Sequence, residues 1–167
     1  MKRLSLLFAV VALSFSVSAQ TAWTPETQVK VRAVGSPQVS PDGRRVVYTI
    51  NDAVMAPDKS EFVTQIWIAT VDGKENYQVT FGEKSSTNPK WSPDGTAIAF
   101  TSNRANNRNG LYLLRLSGGE AETISDVKGS VGDFEWSPDG RSIAFMMGDF
   151  KTPEEEANDK GRNDFRW

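Results

Sequence analysis

The tetrapeptide Ser-Pro-Asp-Gly stands at three places in this chain: Ser40-Pro41-Asp42-Gly43, Ser92-Pro93-Asp94-Gly95 and Ser137-Pro138-Asp139-Gly140. Pro pre-sets φ for the second position of a type I turn, Asp bonds back to nearby backbone, and Gly accepts the left-handed conformation that closes the turn. Such a turn joins two antiparallel strands. Val39, Trp91 and Trp136 precede the three copies, and an alternating run follows each. Aligned on the Gly, Val46, Ile98 and Ile143 share one position, and Tyr48, Phe100 and Phe145 fall two residues on. Val47, Ala99 and Ala144 lie between them. Large side chains thus point one way and smaller ones the other, with the period of two that marks a strand.

The same alignment predicts two further strands per copy. Ile66-Trp67-Ile68-Ala69 matches Leu111-Tyr112-Leu113-Leu114, and both runs reach a Gly turn, at Asp72-Gly73 and at Ser117-Gly118-Gly119. A fourth strand is expected around Tyr77 to Thr80 and around Glu122 to Ser125. The offset is 45 residues from Ile66 to Leu111, from Val79 to Ile124 and from Ser92 to Ser137. Ser40 and Ser92 are 52 apart, and the seven extra residues fall in the polar stretch Asn51 to Gln65, read as an insertion loop on one face. Four short strands recurring at such a period are the signature of propeller blades, whose sheets bury both faces against neighbours. A single β-sandwich is the alternative, but a sandwich does not require equal spacing at every strand.

The third copy stops short. Its third strand is due between Glu156 and Asn163, where the run Glu-Ala-Asn-Asp-Lys-Gly-Arg-Asn is unfit for a core strand. Gly148 to Asn163 is therefore read as a charged insertion loop, with Phe165 to Trp167 opening the delayed strand. The fold class expected is all-β, a partial β-propeller of about two and a half four-stranded blades behind a signal peptide. The divisions are a leader at 1–19, a lead-in segment at 20–35, blade 1 at 36–82, blade 2 at 83–128 and an incomplete blade 3 at 129–167.

The leader has its own pattern. Lys2 and Arg3 form a positive start, Leu4 to Val17 is almost wholly apolar, and Val17-Ser18-Ala19 supplies small or compact residues for a signal peptidase. The apolar run is too short to span a bilayer comfortably, so the expectation is cleavage after Ala19, an exported mature chain in the periplasm or outside the cell, and no membrane span in it. Removing Lys2 and Arg3 leaves 17 basic residues against 21 acidic ones, which does not suit a nucleic-acid partner. The chain has no Cys and no His. That removes disulfides, thiolate metal sites, a cysteine nucleophile and the usual general base of a serine hydrolase.

The Trp-Ser-Pro-Asp-Gly turns followed by Ile-Ala-Phe, the strand Gln65-Ile66-Trp67-Ile68 and the turn Leu116-Ser117-Gly118-Gly119-Glu120-Ala121 carry a resemblance. They resemble the N-terminal propeller of the prolyl oligopeptidase family, in its acylaminoacyl-peptidase and dipeptidyl-peptidase-like branch. The turn is also similar to that of TolB-like WD-type propellers. The lead-in from Thr24-Pro25-Glu26 to the first turn is short, like that of the peptidase branch, whereas TolB carries an α/β domain first. The resemblance implies a propeller that gates peptide access to a C-terminal α/β-hydrolase domain bearing the Ser, Asp and His triad. Neither that domain nor its G-x-S-x-G elbow is in this sequence. The partners implied are that domain and peptide substrates. Two other classes stay open: an envelope propeller that binds protein partners without catalysis, and one that binds a sugar or metabolite.

Glu154, Glu155 and Glu156 resemble the paired glutamates with which dipeptidyl peptidases of that family hold a substrate's amino group, since two carboxylates can bind one ammonium. They are the candidate substrate-binding residues. The family places aromatic residues directly before that pair, whereas Lys151-Thr152-Pro153 stand here, which favours a solvated loop. Asp42, Asp94 and Asp139 are explained by turn formation, and Trp91 and Trp136 by core packing. The segment Asn158 to Asp164 misses the calcium-loop pattern, so no metal and no cofactor is expected. No residue receives a catalytic role.

Overall fold

The computed structural model describes residues 24–105, 108–148 and 154. Leader residues 1–19 and the expected loop from 149 onward, apart from Glu154, lie outside the described residues. A short helix, α1 (Pro25–Val29), opens the described chain, capped by Thr24, whose hydroxyl accepts from the Thr27 N–H at 3.2 Å. Ten strands follow: β1 (Ala33–Val39), β2 (Arg45–Ala56), β3 (Lys59–Thr70), β4 (Asn76–Gln78), β5 (Ser86–Trp91), β6 (Ala97–Ser102), β7 (Gly110–Arg115), β8 (Glu122–Thr123), β9 (Val131–Trp136) and β10 (Ile143–Met147). They form two four-stranded antiparallel meanders, β1-β2-β3-β4 and β5-β6-β7-β8, and a two-stranded sheet, β9-β10. β1 begins at Ala33, within the lead-in segment.

The sheets stack face to face. Val47, Ile66 and Ile68 of the first meet Trp91, Ile98, Phe100, Tyr112 and Leu114 of the second. The opposite face of the second sheet, through Ala99 and Leu111, meets Val131 and Phe134 of the third. Alternation sets this directly. Ile98 and Phe100 point back toward the first sheet, and Ala99, whose small side chain admits a close neighbour, points forward to the third. Every residue of β6 is buried, whereas in β10 only Ile143 is even partly covered. The all-β fold with unclosed, stacked blades is a partial propeller.

One expectation needs correcting. Asn51 to Gln65 is not an insertion loop: β2 and β3 stay paired from Arg45↔Thr70 out to Ala56↔Lys59, around a tight turn at Pro57-Asp58. The extra residues lengthen a hairpin instead. Val54, Phe62, Val63 and Thr64 are strand formers, and unbroken pairing satisfies backbone groups that a loop would leave to water. Polar composition marked solvent exposure here, not irregular backbone.

A second feature repeats without having been foreseen. The first strand of each complete blade slips register, between Gly35 and Gln38 and between Thr87 and Lys90. Ser36 and Asn88 sit there at φ 47° and 51°, directly ahead of Pro37 and Pro89. Proline has no N–H for the ladder, so a bulge is where a strand can accommodate it.

Candidate functional site

The three Ser-Pro-Asp-Gly turns line one rim of the stack and share one wiring. In each, the Ser hydroxyl donates to the Asp carboxylate, at 2.5 Å for Ser40, 2.6 Å for Ser92 and 2.6 Å for Ser137. The same hydroxyl oxygen accepts the backbone N–H five residues on, from Arg45, Ala97 and Ser142. The Asp in turn accepts the N–H of Arg44, Thr96 or Arg141. Gly43, Gly95 and Gly140 close the turns at φ 71°, 70° and 69°. Hydrogen bonds from Ser40, Ser92 and Ser137, then from backbone, hold the carboxyls of Asp42, Asp94 and Asp139 below the usual carboxylate range. Donors that permanently occupy a carboxylate leave it poorly suited to acid–base chemistry. Successive turns also nest: a Cβ on Gly95 would lie 3.6 Å from Pro41 Cδ, and one on Gly140 would lie 3.5 Å from Pro93 Cδ.

Between the first two blades this rim is sealed by Arg45. Its guanidinium lies 4.9 Å from the Trp91 ring centroid and donates to the Gly95 carbonyl at 3.2 Å. Trp91 Nε1 donates across the same interface to the Gln38 carbonyl at 3.1 Å. Between the second and third blades Ala97 stands where Arg45 does, and a cleft of about 380 Å³ opens there, lined in part by Ala97, Trp136, Gly140, Arg115 and Arg141.

Toward the inner strands, Lys90 crosses from β5 to β9. Its ammonium donates to the Phe134 carbonyl, Asp133 and Glu135, and sits 5.2 Å from the Phe134 ring centroid. Burial works to lower the Lys90 pKa, but the bonds to Glu135 and Asp133 outweigh it and raise the group above its ordinary value. Asn88, brought alongside by the bulge, donates to Asp133 at 3.0 Å and with Lys90 holds that carboxyl low. Sequence reasoning missed this clamp. Its one signal was a lysine inside an otherwise buried strand.

Of the candidate substrate-binding residues, Glu154 is exposed, and Glu155 and Glu156 lie outside the described residues. Among the described residues no group of three or more His, Cys, Asp or Glu could hold a metal ion, and no helix is long and apolar enough to cross a membrane. Trp91 is buried in the first interface and Trp136 packs partly buried against the second.

The family description "TolB beta propeller domain" matches residues 24–159. The chain belongs to this TolB β-propeller family. Two similar curated proteins carry peptidase names. The uncharacterized peptidase YuxL of Bacillus subtilis is 37% identical over 104 residues, 62% of this chain and 16% of its own length. Dipeptidyl-peptidase 5 of Porphyromonas endodontalis is 29% identical over 83 residues, 50% of this chain and 12% of its own. The chain thus spans under a fifth of these relatives. Among solved structures, the acylaminoacyl peptidase of Pyrococcus horikoshii superposes on 72% of this chain and 18% of its own, with a TM-score of 0.58 at 21% identity. The AtxE2 isopeptidase covers 87% of this chain and 26% of its own, with a TM-score of 0.62 at 20% identity. At such identities the likeness is one of fold. The TolB-type propeller repeats and the resemblance to peptidase propellers read from the turns are both present in these comparisons.

Proposed function

We propose that this chain is the non-catalytic N-terminal portion of the propeller of an exported serine oligopeptidase, and that the propeller gates peptide access to a C-terminal α/β-hydrolase domain. The observation that carries it is the 37% identity over 104 residues to a protein named as a peptidase, of which those residues are only 16%. The stacked sheets fit that role. Blades supply a rigid frame without a nucleophile, and the chain holds neither His nor Cys with which to build the common triads. Export rests on the leader, with Gln20 as the mature N-terminus.

A second reading, a TolB-like envelope propeller that binds protein partners without catalysis, draws on 35% identity over 65 residues to the Tol-Pal system protein TolB of Methylococcus capsulatus. One experiment separates the two. An antibody raised against this chain is used on the envelope fraction of the source cell, which is also treated with a fluorophosphonate that labels active serine hydrolases. The peptidase reading expects the antibody and the label on one species several times the mass of this chain. An unlabelled species that captures other envelope proteins supports the TolB-like reading and overturns the first.

A further inference from the structure

Blade 1 and blade 2 each have their full four-stranded sheet among the described residues, so the interface between them is closed by described residues on both sides. Where the chain leaves β4, a cavity of about 330 Å³ lies between these two blades. Val79, Leu114 and Ala121 give it apolar walls continuous with the buried core, and Phe81 stands at its margin, 70% exposed. Arg104 is the one cation of the lining and Glu120 the one carboxylate. The Arg104 guanidinium is held in place from within the interface. It lies 5.3 Å from the Phe100 ring centroid and 5.0 Å from that of Tyr112, and it donates from Nε to Ser102 Oγ at 3.3 Å and from Nη2 to Ser86 Oγ at 3.1 Å. Both serines are buried. Nη1 has no partner among the described residues, and no carboxylate there pairs with the group. Ala105, Asn106 and Asn107, which follow it in the chain, carry no charge.

The chemistry of a ligand follows from this arrangement. A guanidinium fixed against two rings and two hydroxyls has given up its side-chain freedom before anything binds, and its open edge suits a planar, two-oxygen anion. The apolar walls favour an apolar body on that anion, and Phe81 can lie against it. Glu120 limits the charge. One cation beside one carboxylate suits a single negative charge and repels a dianion such as a phosphate monoester. Ligand cavities run from about 300 to 1,000 Å³, and this one stands at the lower end, which fits a body of one ring or one branched side chain. We propose that this cavity binds a small monocarboxylic acid with an apolar, ring-sized body. This goes beyond the peptidase reading, since the site is built wholly from the first two blades and needs no hydrolase domain.

The test is titration calorimetry on the full chain with phenylacetate, phenylacetamide, phenylmalonate and a hexapeptide ending in phenylalanine with a free carboxylate. Phenylacetate should bind saturably, the amide at least about tenfold more weakly for want of a charge-assisted contact, and the dianionic malonate also more weakly. Arg104→Gln should weaken phenylacetate binding by about tenfold or more, and Phe81→Ala by about threefold or more. Glu120→Gln should leave that affinity unchanged or raise it, as expected for removing a like charge. Phe81 and Glu120 are exposed, so their variants carry the test if Arg104→Gln does not fold. A peptide that binds much more tightly than phenylacetate places a chain terminus in the cavity and overturns the assignment to a small acid. Equal affinity for acid and amide, tighter binding of the malonate, an affinity that neither Phe81→Ala nor Arg104→Gln changes, or no saturation by phenylacetate up to ~10 mM overturns the proposal.

Discussion

A hydroxyl placed at the first position of each turn does two jobs, and its burial decides how much each matters. Ser92 is 5% exposed and carries both the Asp94 bond and the Ala97 N–H, whereas Ser137 does the same work at an exposed turn. Ser92→Ala should cost about 1–3 kcal/mol by stranding a buried N–H, and Ser137→Ala distinctly less, in urea unfolding of the two variants. The turn carboxyls add a pH dependence. Their folded pKa lies below the unfolded value, so their stabilisation is present above the ordinary carboxylate range and is lost as pH falls through about 4 and below. Unfolding followed between pH 7 and pH 2 should show that loss, and a variant with all three serines changed to alanine should show a shallower one. Lys90 behaves differently. Its partners Asp133 and Glu135 are 58% and 75% exposed, so Lys90→Met leaves solvated carboxylates, not stranded buried ones. The buried bond from Lys90 to the Phe134 carbonyl is also lost, so the expected cost is about 1–3 kcal/mol, and no measurable loss in the same urea assay would show the clamp to be dispensable for stability.

At the scale of the element, position in the stack overrides sequence identity. Phe100 and Phe145 occupy one repeat position, yet Phe100 is fully buried between two blades and stacks on Tyr112 at 5.7 Å, while Phe145 is 38% exposed. Phe100→Ala should therefore cost roughly 3–5 kcal/mol and Phe145→Ala less than half of that, measured as thermal or urea unfolding of the single variants. The long β2–β3 hairpin was legible as an insertion but not as paired strand, because exposed strands and loops share a polar composition. The bulges at Ser36 and Asn88 were legible in principle. A proline after a polar residue inside a strand-like run is a bulge signal, and it repeats at both copies.

For the molecule as a whole, the decisive fact is that, among the described residues, only the middle blade is covered on both faces. Val46, Tyr48 and Trp67 are only partly covered on the outer side of the first sheet, and Met146 is 68% exposed on the last. At about 25 cal/mol per Å², a few hundred Å² of uncovered face is comparable with a domain's whole margin of roughly 5–15 kcal/mol. β10 also presents a free edge for pairing, since β9 is its one partner among the described residues. Residues 20–167 alone should be marginally stable and self-associate, with light scattering and the melting temperature both improving in a longer chain that adds further blades. A monomer that melts cooperatively at the same temperature as the longer protein would point to a self-contained β-domain. The same preparation should leave aminoacyl and dipeptidyl chromogenic substrates intact, and turnover blocked by a serine-directed inhibitor would contradict the non-catalytic reading.

The sequence by itself determined the repeat, the turn chemistry, the strand alternation and hence the blades, because all of these depend on local backbone preference and on side chains a few residues apart. It also determined which chemistry the chain lacks, since no packing can supply an absent imidazole or thiol. The tertiary structure alone decided which faces are covered, that Lys90 reaches Asp133 and Glu135 43 and 45 residues away, and that Arg45 bridges the first interface onto Trp91 while Ala97 lines a cleft in the next. Those outcomes depend on how one sheet is set against another. Two copies of a motif with the same local pattern can then meet different surroundings, which is why the cleft beside Trp136 could not be read from its tetrapeptide.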